Sequence, residues 1–198
     1  ALAAQRLQER AARLARIDVP GLAGHLASTV ELRGSIAAPD VSLAVTTRDA
    51  SYATIGPFTL SGRSSLRGTR AEIQTLDVRS TTGSLHVEGG IELAETPHTA
   101  TLPSRVALRW SDLRLDDLMR AFGSSPRIRS GSLASGEAMI DFDAYDRVLS
   151  RFRLSATTTL DALANASSAE FLALSGRADV NLDNGRWSLR HAIQARRA

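Results

Sequence analysis

No cysteine and no lysine occur among the 198 residues of the chain. The first absence excludes disulfides, thiol nucleophiles and cysteine-ligated metals. It leaves the compartment open, because a chain without thiols suits oxidising and reducing surroundings equally. The second absence makes all 24 basic residues arginine, and 21 acidic residues bring the formal charge to only +3. The high isoelectric point therefore follows from arginine's pKa and not from a large excess of positive charge. A nucleic-acid binder clusters its basic residues on one face with aromatic platforms, whereas the arginines here are scattered along the whole chain, so no nucleic-acid partner is expected. Aromatic residues are few, at 5%, so Leu, Ala, Val and Ile must supply most of the burial in a chain that is 43% hydrophobic. That content suffices for one sizeable core or for a few stacked repeat units.

Long hydrophobic runs are missing as well. No segment approaches the roughly 18 apolar residues of a membrane-spanning helix. Arg6, Glu9 and Arg10 interrupt the opening residues, which do not read as a signal peptide. There is no initiating methionine, and the chain reads as a piece of a longer protein.

Catalytic signatures are also lacking: there is no glycine-rich phosphate loop, no nucleophile elbow and no paired-histidine zinc helix. No enzymatic activity, metal or cofactor is expected. The four histidines, His25, His86, His98 and His191, lie far apart in sequence, and His25 and His86 fall on the polar phase of their strands. Asp141, Asp143 and Asp146 resemble the start of a calcium loop. Such a loop needs glycine at its sixth position and glutamate at its twelfth, where Asp146 and Phe152 stand, so the segment reads as a polar turn.

What is present is alternation. Residues 1–16 carry a helical pattern, with Leu7, Ala11, Leu14 and Ala15 on one face and Glu9 four residues before Arg13. Arg6, Arg10, Arg13 and Arg16 could set this helix on anionic headgroups, but its apolar face is thin, and a helix that caps or links sheet units is the better reading. Pro20-Gly21 ends it, and residues 1–20 are taken as an N-terminal helix and linker. From Leu22 the period becomes two: Leu26, Val30, Leu32 and Ile36 share one phase, and Glu31 and Arg33 the other. The same phase recurs as Val41, Leu43 and Val45, then Phe58 and Leu60, then Leu85, Val87, Ile91 and Leu93. It resumes with Val106, Leu108 and Trp110, with Ile140 and Phe142, with Phe152 and Leu154, and with Leu174, Val180 and Leu182.

One internal helix interrupts the strands. Leu115, Leu118, Met119 and Phe122 are spaced as one helical face, with Asp116 and Asp117 in the first turn and Gly123 as the stop. The Ala- and Ser-rich stretch 161–169 reads as a loop or a short helix. Asp183-Asn184-Gly185 is the strongest hairpin signal. The sum is an all-β chain of roughly twelve short antiparallel strands at a spacing of about 8–12 residues.

The punctuation of these strands is specific. Four runs end in glycine: Val30–Gly34, Phe58–Gly62, Leu85–Gly89 and Leu172–Gly176. By itself this says only that a bend, bulge or close approach is needed there. The order adds more. Leu32-Arg33-Gly34-Ser35-Ile36-Ala37-Ala38-Pro39, the later Thr82-Gly83-Ser84-Leu85-His86-Val87-Glu88-Gly89, and the helix Leu113–Phe122 followed by Ser130–Gly136 together resemble the TamB and AsmA-like family of bridge-like lipid-transfer proteins. The resemblance covers roughly residues 22–190. The N-terminal helix is not part of the pattern, and the membrane anchor expected at the start of a whole member is missing.

The resemblance implies an elongated, curled, half-open β-groove over residues 21–198, inside a longer periplasmic protein anchored in the bacterial inner membrane. The apolar phase from Leu26 to Leu182 would face phospholipid acyl chains moving between inner and outer membranes, while headgroups stay outside. It also implies contact with an outer-membrane barrel of the Omp85 class, so assembly of barrel proteins is an alternative role. A closed structural or adhesive β-repeat module would show the same alternation.

Overall fold

The computed structural model describes residues 22–35, 39–52, 55–93, 103–121, 132–142, 152–163, 172–183 and 185–197. The expected N-terminal helix and linker, Ile36, His98, Phe122, Gly123, Asp143, Asp146 and Asn184 lie outside these residues, as does 164–169.

The described chain is a single antiparallel sheet of ten strands in which each strand pairs with the next. The order is β1 (Leu22–Gly34), β2 (Pro39–Tyr52), β3 (Ile55–Arg67), β4 (Arg70–Ser80), β5 (Gly83–Glu92), β6 (Ser104–Arg114), β7 (Leu133–Phe142), β8 (Arg153–Leu163), β9 (Leu172–Asp183) and β10 (Arg186–Arg197). The roughly twelve strands expected thus become ten among the described residues, mainly because the runs are longer than their apolar markers suggested. Part of the Ala- and Ser-rich stretch is strand, since β8 continues through Leu163. Asp183 pairs with Arg186, which leaves a two-residue turn between β9 and β10. Gly185 in that turn has φ 73°, as the Asn-Gly signal requires.

The single helix among the described residues, α1 (Leu115–Ala121), follows β6 directly. Asp116 and Asp117 stand in its first turn and Arg120 in its last, each at the end of the helix dipole that favours it. Arg120 pairs with Asp116 at 2.7 Å and also with Asp117. The helix touches β3 as well as β6, and so crosses the end of the β4–β5 hairpin.

Alternation holds only between bulges. Ile73 faces Ser64 and Leu76 faces Gly62, so β4 spends three residues where β3 spends two. The opposite neighbour agrees, since Ile73 faces Gly89 and Leu76 faces Val87. An extra residue of this kind resets the phase, which keeps Ile73 and Leu76 on one face despite their odd and even numbers. Trp110 and Leu113 on β6 do the same, and β8 also spends three residues from Leu160 to Leu163 where β9 spends two. Asp112 in the β6 bulge and Asp49 in an irregular stretch of β2 take left-handed backbone, with φ 54° and 53°. Aspartate tolerates that region better than most residues.

Full burial is rare. Among the described apolar residues only Ala50, Val87, Ala134 and Leu182 are buried. The buried polar residues lie near strand ends and at α1: Ser65, Ser104 and Glu92, where the Ser104 hydroxyl accepts the Glu92 N–H at 2.9 Å, and Asp116 and Ser132.

Candidate functional site: an apolar face and a charged face

Cross-strand partners in an antiparallel sheet point to the same side, so the register sorts every side chain onto one of two faces. From Val87, the rung of paired residues runs one way through Leu76, Gly62, Val45 and Ser28. It runs the other way through Leu108, Ala138, Ala156, Val180 and Leu189. A neighbouring rung joins Val30, Leu43, Ser64, Ile73 and Gly89 to Val106, Ile140, Leu154, Leu182 and Trp187. Neither rung carries a charge across all ten strands. The rung through Leu60, Val78, Leu85 and Trp110 continues to Gly136, Thr158 and Ala178 and ends at His191 on the last strand.

Further residues of the apolar phase can be placed by their partners. Leu32 and Val41 pair with each other, as Ile91 does with Ala71. Phe58 faces Ala50, and Leu26 faces Thr47. Phe142 stacks on Phe152 with ring centroids 6.2 Å apart. Leu174 keeps the phase beyond the β8 bulge, opposite Leu163. Leu93 stands apart: it is exposed just past the end of β5, and its N–H donates to the Thr69 carbonyl.

Other residues on this face lay outside the predicted set. Ile73, Leu76 and Val78 of β4 belong to the face, although a strict period of two cannot hold all three. Trp187, Leu189 and Ile193 of β10 belong to it as well. The available signal was the three-residue step from Ile73 to Leu76, repeated at Trp110–Leu113 and Leu160–Leu163, which marks a bulge.

All four punctuating glycines keep the phase of the apolar face: Gly34, Gly62, Gly89 and Gly176. A Cβ on Gly89 would run into the Arg105 carbonyl, and one on Gly176 into that of Ala192. Glycine here lets neighbouring backbones approach on the apolar side. At Gly136 the missing side chain makes room for the Trp110 indole, whose ring would lie 2.8 Å from an added Cβ.

The opposite face is a lattice of ion pairs between strands. Arg67 of β3 meets Asp40 of β2 at 3.3 Å, and Arg109 of β6 meets Glu88 of β5 at 3.4 Å. Arg105 of β6 pairs with Asp141 of β7, and Arg153 of β8 with Asp183 of β9 at 3.3 Å. His86 belongs here, with its Nδ1 at 2.8 Å from Asp77 and its Nε2 at 3.7 Å from Glu88. His25, also on this face, is exposed opposite Arg48. Asp179 accepts hydrogen bonds from the Thr157 hydroxyl at 2.7 Å and from Arg177 at 2.9 Å. Those two bonds hold its carboxyl below its ordinary pKa.

Exposure of large apolar side chains concentrates on the outer strands: Leu32 is 67% exposed, and Trp187 and Leu189 are each 64% exposed. Rung partners further in are shielded on both sides, down to 3% at Leu182. Among the described residues no group of three histidine, aspartate or glutamate side chains could hold a metal ion, and no helix is long and apolar enough to cross a membrane. The chain matches no family model, no curated protein and no solved structure.

Proposed function

We propose that this sheet is a lipid-bearing surface, a segment of a TamB- or AsmA-like groove whose apolar face carries phospholipid tails across the bacterial periplasm. One observation supports the reading above the rest: two rungs run through ten strands without a charge, while the arginines and carboxylates of β2 to β9 gather on the other side. At about 4.8 Å between strands the face is roughly 45 Å wide, and its strands of about ten residues are roughly 34 Å long. Withdrawing an acyl chain of about 16 carbons into water costs on the order of 12 kcal/mol, at about 0.8 kcal/mol per methylene. Passive transfer therefore needs a continuous dry path, and a step that crosses ion pairs would stop it. The headgroup stays in water along the rim. The glycines on the apolar side suit inward curling, because that side crowds when a sheet bends toward it.

The paired faces supply the test. Photo-crosslinkers at Leu32, Val87 and Ile140 should capture phospholipid in cells expressing the parent protein, and crosslinkers at Arg33, Glu88 and Asp141 should not. Equal labelling of the two sets, or none at either, overturns the proposal. Capture of an unfolded barrel protein at the first set would instead favour the role in barrel assembly.

A further inference from the structure

Most arginines of the interior strands meet a carboxylate on the polar face, as Arg67, Arg105, Arg109, Arg153 and Arg177 do. Arg48 of β2, Arg63 of β3 and Arg79 of β4 meet none among the described residues, and all three are exposed. Their register partners carry no negative charge. Arg63 stands between Ala44 and Thr75, Arg79 between Thr59 and Ser84, and Arg48 opposite His25. The three also surround one point. Thr46, Ser61 and Asp77 pair across β2, β3 and β4. Arg63 lies two residues along β3 from Ser61, about 7 Å away between Cα positions. Arg48 and Arg79 lie one strand over on either side, two residues past Thr46 and Asp77, each about 8 Å from Ser61. Thr59, the partner of Arg79, occupies β3 between Arg79 and the stretch of β2 that carries Arg48. Two carboxylates are near. Asp77 is held by His86 at 2.8 Å, and Asp49 forms no ion pair among the described residues.

We propose that Arg48, Arg63 and Arg79 hold a phosphate dianion over the hydroxyls of Ser61 and Thr59. A guanidinium presents its N–H donors in a planar fork that matches the oxygens of a phosphate. Three forks arriving from three strands suit the three terminal oxygens of a phosphate group better than the two of a carboxylate. The Ser61 and Thr59 hydroxyls donate from the sheet beneath. The anion supplies the negative charge that Arg67 and Arg105 obtain from Asp40 and Asp141. Each of β2, β3 and β4 is paired on both sides, so the sheet sets the spacing of the three arginines and the site depends on neither edge. It lies on the side away from the apolar rungs and is independent of lipid tails on that face. The contrary expectation is that three solvated arginines only keep this side wet.

Inorganic phosphate is titrated onto the full chain at low chloride and slightly alkaline pH, where it is a dianion, and backbone amide resonances locate the binding. Saturable shifts centred on Thr59, Ser61 and Arg63, weakened by added salt, are expected. Arg48→Gln, Arg63→Gln and Arg79→Gln should each weaken binding about fivefold. Arg105→Gln and Arg153→Gln remove the same charge from the same face and should leave binding unchanged. All five side chains are exposed, and circular dichroism checks that each variant keeps its fold. Co-sedimentation with vesicles of phosphatidic acid in phosphatidylcholine, against phosphatidylcholine alone, forms the second arm. Binding of free phosphate with this pattern of variants supports the site with a soluble phosphate as ligand. Binding of the phosphatidic acid vesicles alone, with the same pattern, supports it with a headgroup as ligand. No binding of either probe, equal weakening by all five substitutions, or shifts centred away from Ser61 overturns the proposal.

Discussion

At the residue scale the two faces impose different chemistry on similar positions. Asp179 draws its stability from bonds that are stronger when its carboxyl is ionised, the Thr157 hydroxyl first and Arg177 second. Its pKa in the folded chain is lower than in the unfolded chain. The stabilisation is therefore complete above the ordinary carboxylate pKa and is lost as the pH falls through the depressed value. Thr157→Val should raise the midpoint of Asp179, measured by carboxyl chemical shift, and the loss of stability on acidification should then be smaller and reach completion at higher pH. Glycines divide in the same way. Gly68 lies in the β3–β4 turn at φ 57° with open space around it, so Gly68→Ala should cost only the left-handed backbone term, about 1 kcal/mol. Gly136 lies under Trp110 and against the Thr157 carbonyl, so Gly136→Ala forces both to move and should cost about 3 kcal/mol. Denaturant midpoints of the two variants check the ordering.

At the element scale the bulge is the unit that reconciles sequence with register. The extra residue of β4 lies between Ile73 and Thr75, because Thr75 already pairs with Arg63 and Ile73 with Ser64. Deleting Gln74 leaves a strand that alternates regularly and keeps Ile73, Leu76 and Val78 on the apolar side. Deleting Glu88 from the regular strand β5 sends Gly89 and Ile91 to the charged face, or Leu85 and Val87, whichever end holds its pairing. The first deletion should leave a cooperative unfolding transition near that of the parent chain, and the second should abolish it. This difference also explains how much was legible beforehand. Alternation was visible wherever two bulges lay far apart, as from Val41 to Val45 and from Leu172 to Leu182, and there strand and face could both be read. The internal helix was legible because Leu115, Asp116 and Met119 obey a helical period and a dipole preference at once. The phase of β4 was not, since a bulge leaves no composition signature beyond a three-residue step. Nor were the arginine–carboxylate pairs between strands, whose partners stand 20 or more residues apart, such as Arg105 with Asp141.

At the scale of the whole molecule, a sheet with one apolar face and no second layer among the described residues must have that face covered by something. A lipid cover and a protein cover place different demands on the same side chains. Leu182 is wedged between Leu154 and Trp187 at 3% exposure and belongs to the sheet itself, so Leu182→Ala should cost about 3 kcal/mol whatever lies above it. Leu32 is 67% exposed on the outermost strand and contributes little to the sheet's own packing. If lipid covers the face, Leu32→Glu sets a carboxylate in the path of the tails. Phospholipid co-purifying with the chain, counted by native mass spectrometry, should then fall several-fold, while the melting temperature moves by no more than about 2 °C. If a protein layer covers the face instead, the same carboxylate is buried without a partner. Removing it from water costs several kcal/mol, and the variant loses its folded or assembled state together with any bound amphiphile. The two covers are thus separated by one substitution read two ways, and lipid transfer requires that bound lipid fall while the fold holds.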